Sequence, residues 1–166
     1  MRFVTFIPFV AIMWSACNNT ERDKFKDSAD ERSSGKMGSL IKRANSYYYQ
    51  DDFANSVKYF DSIIKLDSSN GEYYYKRAFS YTKLIAREDA IKDFKKAILF
   101  QYKVAPSCFN IGVNYSYDDD SLALYYFKKS SETDQNFPDV YPEISDCKKR
   151  LAEKRGLQLE KLKAKQ

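Results

Sequence analysis

Residues 42–47 read KRANSY and residues 76–81 read KRAFSY, an offset of 76 − 42 = 34 with five of six positions identical. The same offset carries Lys58 to Lys92, Phe60 to Phe94 and Ile64 to Ile98. A second step of 34 takes Ala78 to Gly112 and Tyr81 to Tyr115. One residue is then deleted, and Ala90 corresponds to Ala123 and Phe94 to Phe127. A chain that repeats at this period writes one supersecondary unit three times. Such a unit cannot bury its apolar face alone, so the copies must stack on one another.

Each unit reads as two helices. Leu40, Ala44, Tyr47 and Tyr48 recur at helical spacing. After a polar break at Asp51-Asp52, Phe53, Val57, Phe60 and Ile64 do the same. The second copy gives Tyr74, Ala78 and Tyr81, then Ile91, Phe94 and Ile98. The third gives Phe109, Gly112 and Tyr115, then Leu122 and Tyr126. Asp118 to Ser121 supply the acidic and hydroxyl groups that suit the unpaired N–H groups of a helix start. With only 5 Gly and 4 Pro in 166 residues, a turn-rich β architecture is disfavoured and an all-α one expected.

The period and its fixed positions resemble the tetratricopeptide repeat (TPR) family. The small residue of the first helix is Ala44, Ala78 and Gly112, with an aromatic three residues later at Tyr47, Tyr81 and Tyr115. The small residue of the second helix is Ser56, Ala90 and Ala123. Its aromatic is Phe60, Phe94 and Phe127, followed by Ile63, Ala97 and Ser130. The resemblance implies an α-solenoid of about three units, 37–70, 71–104 and 105–137. A capping helix and basic C-terminal tail follow over 138–166, with an apolar stripe at Val140, Ile144, Cys147 and Leu151. Ser68 and Tyr102 stand where the family places proline, and Arg43 and Arg77 occupy a place it usually fills with an apolar residue.

Ahead of the repeats, residues 1–16 (MRFVTFIPFVAIMWSA) have a basic start, an apolar middle and a small-residue end, the anatomy of an export signal. The apolar run is shorter than the roughly 20 residues a spanning helix needs. Ser15-Ala16-Cys17 resembles a bacterial lipobox, which implies acylation of Cys17, removal of residues 1–16 and a polar, disordered tether over 17–36. The expected setting is the bacterial cell envelope, at the outer rather than the inner membrane. A plain secretory signal, leaving a soluble periplasmic or secreted protein, and an uncleaved anchor are the alternatives.

Composition excludes much chemistry. With no histidine, imidazole-based catalysis and His-containing metal sites are gone. Three scattered cysteines make no disulfide framework. Cys108 and Cys147 fall six residues out of step in successive first helices, about 9 Å along the axis, beyond the roughly 7 Å a disulfide allows. Free thiols are expected. Asp118–Asp120 lacks opposing ligands and reads as a helix start rather than a cation site. No cofactor, metal or enzymatic activity is expected. The tail from Lys148 to Gln166 carries eight cations against Glu153 and Glu160, and is read as a solvated helix face rather than a nucleic-acid surface.

In this family the first helices line a concave face. The positions that look into it are here Ile41, Asn45, Tyr48 and Tyr49; then Glu72, Tyr75, Phe79, Thr82 and Lys83; then Phe109, Val113, Ser116 and Tyr117. That surface is aromatic and carries few charges. Tyrosine offers large contact area at low entropic cost. The expected function is a non-enzymatic scaffold that holds a protein or peptide partner in this groove. With only Asn45 and Lys83 as polar anchors, a grip on a C-terminal carboxylate is not expected. An envelope glycan stacked on the tyrosines is the alternative, and contact of the basic tail with an acidic surface is a third.

Overall fold

The computed structural model describes residues 35–137 and 139–164, without the side chain of Leu162. The expected signal, Cys17 and the tether as far as residue 34 lie outside the described residues. The described residues fall into two units, 35–39 and 40–164. In the first, residues 35–39 are helical, so helix already occupies the last two residues assigned to the tether.

The second unit is a run of helices, and no described residue lies in a strand. α1 covers residues 40–49. It is followed by α2 (Phe53–Leu66), α3 (Gly71–Lys83), α4 (Arg87–Leu99), α5 (Val104–Tyr115), α6 (Asp120–Thr133) and α7 (Val140–Lys163). From α2 onward each helix packs chiefly on its neighbours in the chain, as a solenoid requires. The array is all-α, with pairs α1/α2, α3/α4 and α5/α6 and α7 closing its end.

The repeated positions are the core. Ala44, Ala78, Ser56, Ala90, Ala123, Phe60, Phe94, Phe127, Ile63, Ala97 and Ser130 are all at most 1% exposed. Small residues let the paired helices approach until the phenylalanine of the second fills the space between them. In the third pair a Cβ on Gly112 would lie 2.6 Å from the Phe127 ring. Glycine is required there by the closeness of α6, whereas the first two pairs leave room for the alanine methyl.

The turns show how the units differ. Asp52, Asn70 and Asp119 cap α2, α3 and α6 with side-chain oxygens that accept backbone N–H bonds. The first two units turn between their helices through a left-handed residue, Asp51 (φ 58°) and Ile85 (φ 62°), exactly one period apart in number. The third unit is one residue shorter, and its turn from Tyr115 to Asp119 contains no positive φ.

The arginine at the family's apolar place also has an account. Arg77 donates from Nε and Nη2 to the two carboxylate oxygens of Asp93 on α4 (2.6 and 2.8 Å). Its Nη1 donates to Asp61 on α2 (2.6 Å). One guanidinium thereby ties three helices. The matching pair in unit one is Arg43 and Tyr59, which meet at 3.4 Å on the surface. In unit three it is Ile111 and Tyr126, which share an apolar cluster. The same site is ionic, polar or apolar according to what stands opposite.

α7 docks through Val140 and Cys147, both buried, with Ile144 beside them against Ala123 and Phe127. The acidic start of α6 then adds a grip. Asp120, 5% exposed, accepts from Arg150 Nε and Lys154 Nζ at 2.6 Å each. Two cations read as solvated are thus structural. Beyond them Leu157 and Leu159 are exposed. Cys108 and Cys147 are free and buried, and burial pushes both thiols up, away from the reactive thiolate.

Candidate functional site

The first helices bring the predicted aromatics together unevenly. Tyr48 of α1 meets Phe79 of α3 edge-on (ring centroids 5.6 Å) and Tyr49 at 5.3 Å. Phe53, from the start of α2, also meets Phe79 edge-on (6.2 Å). Tyr75 packs on Phe94 (5.5 Å) and against Tyr102 (5.7 Å), in the turn between α4 and α5. These separations are those of favourable edge-to-face pairs, so the rings hold one another in place.

Lysines are threaded through this surface. Lys76, only 9% exposed, donates to Asn45 Oδ1 (2.7 Å) and pairs with Glu72 (2.6 Å). Its ammonium lies 5.9 and 5.6 Å from the Tyr48 and Tyr49 rings, within cation–π range. Lys83 sits over Phe79 (5.2 Å), and Lys103 over Tyr75 (5.1 Å) and Tyr102 (5.9 Å). Both are exposed, and among the described residues neither is in an ion pair. Their stems cover ring faces while their charges stay in water.

Burial, with the neighbouring tyrosine hydroxyls adding to it, pushes the Tyr48 hydroxyl up to about 12. Burial raises Tyr75 and Tyr102 as well. All three remain protonated at neutral pH, as donors and acceptors set among apolar rings. Tyr49 is the open edge of the patch, 73% exposed.

Other predicted groove residues fall elsewhere. Phe109 packs on Phe127 (5.5 Å) and Phe137 (5.3 Å), and Val113 joins the same cluster against α6 and α7. The segment leading into α7 covers the place where a fourth unit would leave the face open. Thr82 Oγ1 accepts from Asn114, and Ser116 turns back on the Val113 carbonyl. Tyr117 is exposed but lies under Arg87, with the guanidinium 4.2 Å from its ring. Asn45 is held by Lys76, and Ile41 is half-buried on α1. The face is therefore built on the first two units.

Four contributors were not among the groove residues expected from the sequence: Phe53, Lys76, Tyr102 and Lys103. Tyr102 carried a signal, since it replaces the family's proline at the end of unit two. Lys103 follows it in a left-handed conformation (φ 44°), which only a three-dimensional turn reveals.

No protein-family model matches the chain, and no curated relative does. Solved structures do. The TPR domain of Arabidopsis OM64 is 19% identical with a TM-score of 0.63, over 68% of this chain and 94% of that one. The fold is the tetratricopeptide-repeat fold. The TPR domain of P58(IPK) superposes with a TM-score of 0.74 at 19% identity, over 85% of this chain and 40% of that one. The first TPR of Spaghetti (RPAP3), solved bound to the HSP90 peptide SRMEEVD, gives 0.64 at 17% identity, over 70% and 93%.

Proposed function

We propose that this chain is a non-enzymatic interaction module that holds an extended segment of a partner protein against Tyr48, Tyr49, Tyr75, Phe79 and Tyr102. The observation that carries this reading is the ring surface itself. It combines half-buried, mutually supported aromatics with protonated hydroxyls and two ammonium groups, Lys83 and Lys103, along its edge. Rigid aromatic contact flanked by polar groups is the make-up of binding hot spots. Structures of the same fold have been solved with peptides bound, such as the Spaghetti domain with SRMEEVD, which supports a peptide as the ligand class. The lysines favour a segment with acidic residues beside its apolar ones.

The setting rests on sequence. The lipobox-like Ser15-Ala16-Cys17 supports an acylated protein of the bacterial cell envelope, held at the outer membrane. Cys17→Ala then releases the protein from the membrane fraction, and retention there contradicts the anchor.

Affinity for a partner protein captured by crosslinking in the cell tests the groove. Tyr75 and Phe79 help hold the core, so their truncation confuses folding with binding. Tyr49, Lys83 and Lys103 are exposed, and their truncation to Ala leaves the buried core in place. Combined, the three truncations weaken partner binding at least about tenfold with an unchanged melting temperature. Unchanged affinity rules the groove out. Depletion of the protein by isolated peptidoglycan, lost in the same variant, instead assigns the face to a glycan.

A further inference from the structure

The outward sides of the second helices repeat as the core does. In α4 the buried Phe94 is followed by Lys95-Lys96, and in α6 the buried Phe127 is followed by Lys128-Lys129. The offset is 128 − 95 = 33, the repeat period less the deleted residue. A phenylalanine aimed into the core turns the next two positions of its helix away from it. Lys95, Lys96 and Lys128 are accordingly exposed, and Lys129 is half-buried. α2 lacks the pair but adds Lys58 and Lys65, both exposed.

These helices adjoin. Lys95 of α4 lies 6.0 Å from the ring of Tyr126 on α6, and Tyr126 packs edge-on against Tyr125 (5.1 Å). Arg77 fastens α2 to α4 through Asp61 and Asp93. Little acid opposes the lysines. Asp61 and Asp93 are held by Arg77, and Asp89 by Lys92 (3.1 Å), which leaves Glu88 at the start of α4 and Glu132 at the end of α6. Among the described residues Lys58, Lys65, Lys95, Lys96, Lys128 and Lys129 are in no ion pair.

Apolar groups stand beside these cations. Leu66 and Leu99 end α2 and α4, and Tyr125 lies one turn before Lys128-Lys129. All three are more than half exposed, so the fold gains little from them. The combination selects the ligand. Nucleic acid is gripped through its phosphates by cations and has no use for exposed leucines. A bilayer uses both: its anionic headgroups attract ammonium groups, its acyl boundary takes leucine, and its interface takes tyrosine.

We propose that the outer side of the second helices docks on an anionic lipid bilayer. Lys95, Lys96, Lys128 and Lys129 lie among the headgroup phosphates, and Leu99 and Tyr125 reach the acyl boundary. This contact needs no acyl group on Cys17 and uses no residue of the aromatic face.

The test is cosedimentation of the full chain carrying Cys17→Ala with vesicles of phosphatidylcholine, alone or in equal parts with phosphatidylglycerol. The mixed vesicles are expected to bind at least about tenfold more tightly, with the difference shrinking as salt rises. Lys95→Gln, Lys96→Gln, Lys128→Gln and Lys129→Gln combined keep most of each side-chain stem and remove the charge. They abolish the preference with an unchanged melting temperature. Leu99→Ser leaves the charge alone and weakens binding to the mixed vesicles by about threefold or more. The proposal is overturned by equal binding to the two compositions, or by a preference that survives the glutamine variant or is lost instead on Lys148→Gln with Lys149→Gln. An unaltered affinity in Leu99→Ser, or tighter binding to duplex DNA than to the mixed vesicles, overturns it as well.

Discussion

Arg77 shows how much one residue's meaning depends on what stands opposite. Its partner Asp93 is 6% exposed. Burial pushes that carboxyl up, against the pull of the guanidinium. A buried ion pair of this kind fixes geometry more surely than it adds stability, because both charges leave water. Removing one partner strands the other. Arg77→Met is expected to cost about 3–5 kcal/mol, read from denaturant midpoints. The chain itself supplies the replacement, since unit three has isoleucine and tyrosine at these places. Arg77→Ile combined with Asp93→Tyr should recover most of that loss. A double variant as unstable as the single one would mean that the site is not interchangeable between units. Ile85 is the opposite case, a β-branched residue held at φ 62° with 68% of its surface exposed. A left-handed conformation costs an L-residue about 1–2 kcal/mol, and asparagine tolerates it better. Ile85→Asn should therefore stabilise the fold by about 0.5–1 kcal/mol, measured by chemical denaturation.

Among the elements, the helices of each unit were legible because their apolar positions recur at both helical spacing and the 34-residue period, so each unit checks the others. The role of Asp120 was not legible. A run of three aspartates before a helix reads locally as capping, and Asp119 does cap α6. Asp120 instead faces a helix 30 residues on, and periodicity carries no signal for a contact made once. Its pairing with Lys154 and Arg150 holds the carboxyl below its usual range. The sign follows from linkage. A carboxylate lowered in the folded state contributes its stability above the ordinary value of about 3.9, and that stability is lost as pH falls through the lowered one. Docking of α7 should therefore weaken on acidification below about pH 4. Hydrogen exchange of α7 amides will report this. Asp120→Asn should show faster exchange at neutral pH and a smaller further change in acid. Identical pH profiles would mean that the ion pairs do not hold the cap.

For the molecule as a whole, the fold follows from the internal repeat, since three copies of one packing solution leave little freedom. The face does not follow so directly. Groove positions transferred from a repeat pattern assume an open neighbour on each side. The third unit has none, so Phe109 and Val113 are drawn into its packing with the segment before α7. Conversely, the turn residues Tyr102 and Lys103 have no place in a pattern of helical positions, yet they complete the surface around Tyr75. What results is a short aromatic face on the first two units, edged by lysines. Its proposed use is tested most directly by a photoreactive residue placed in the cell at position 49 on the face, or at exposed position 99 on the second helix of unit two. If the face holds an extended partner segment, position 49 gives a discrete crosslinked species whose attachment maps to one contiguous stretch of one protein, and position 99 does not. Capture of the same species from both positions, or none from position 49, would contradict the account.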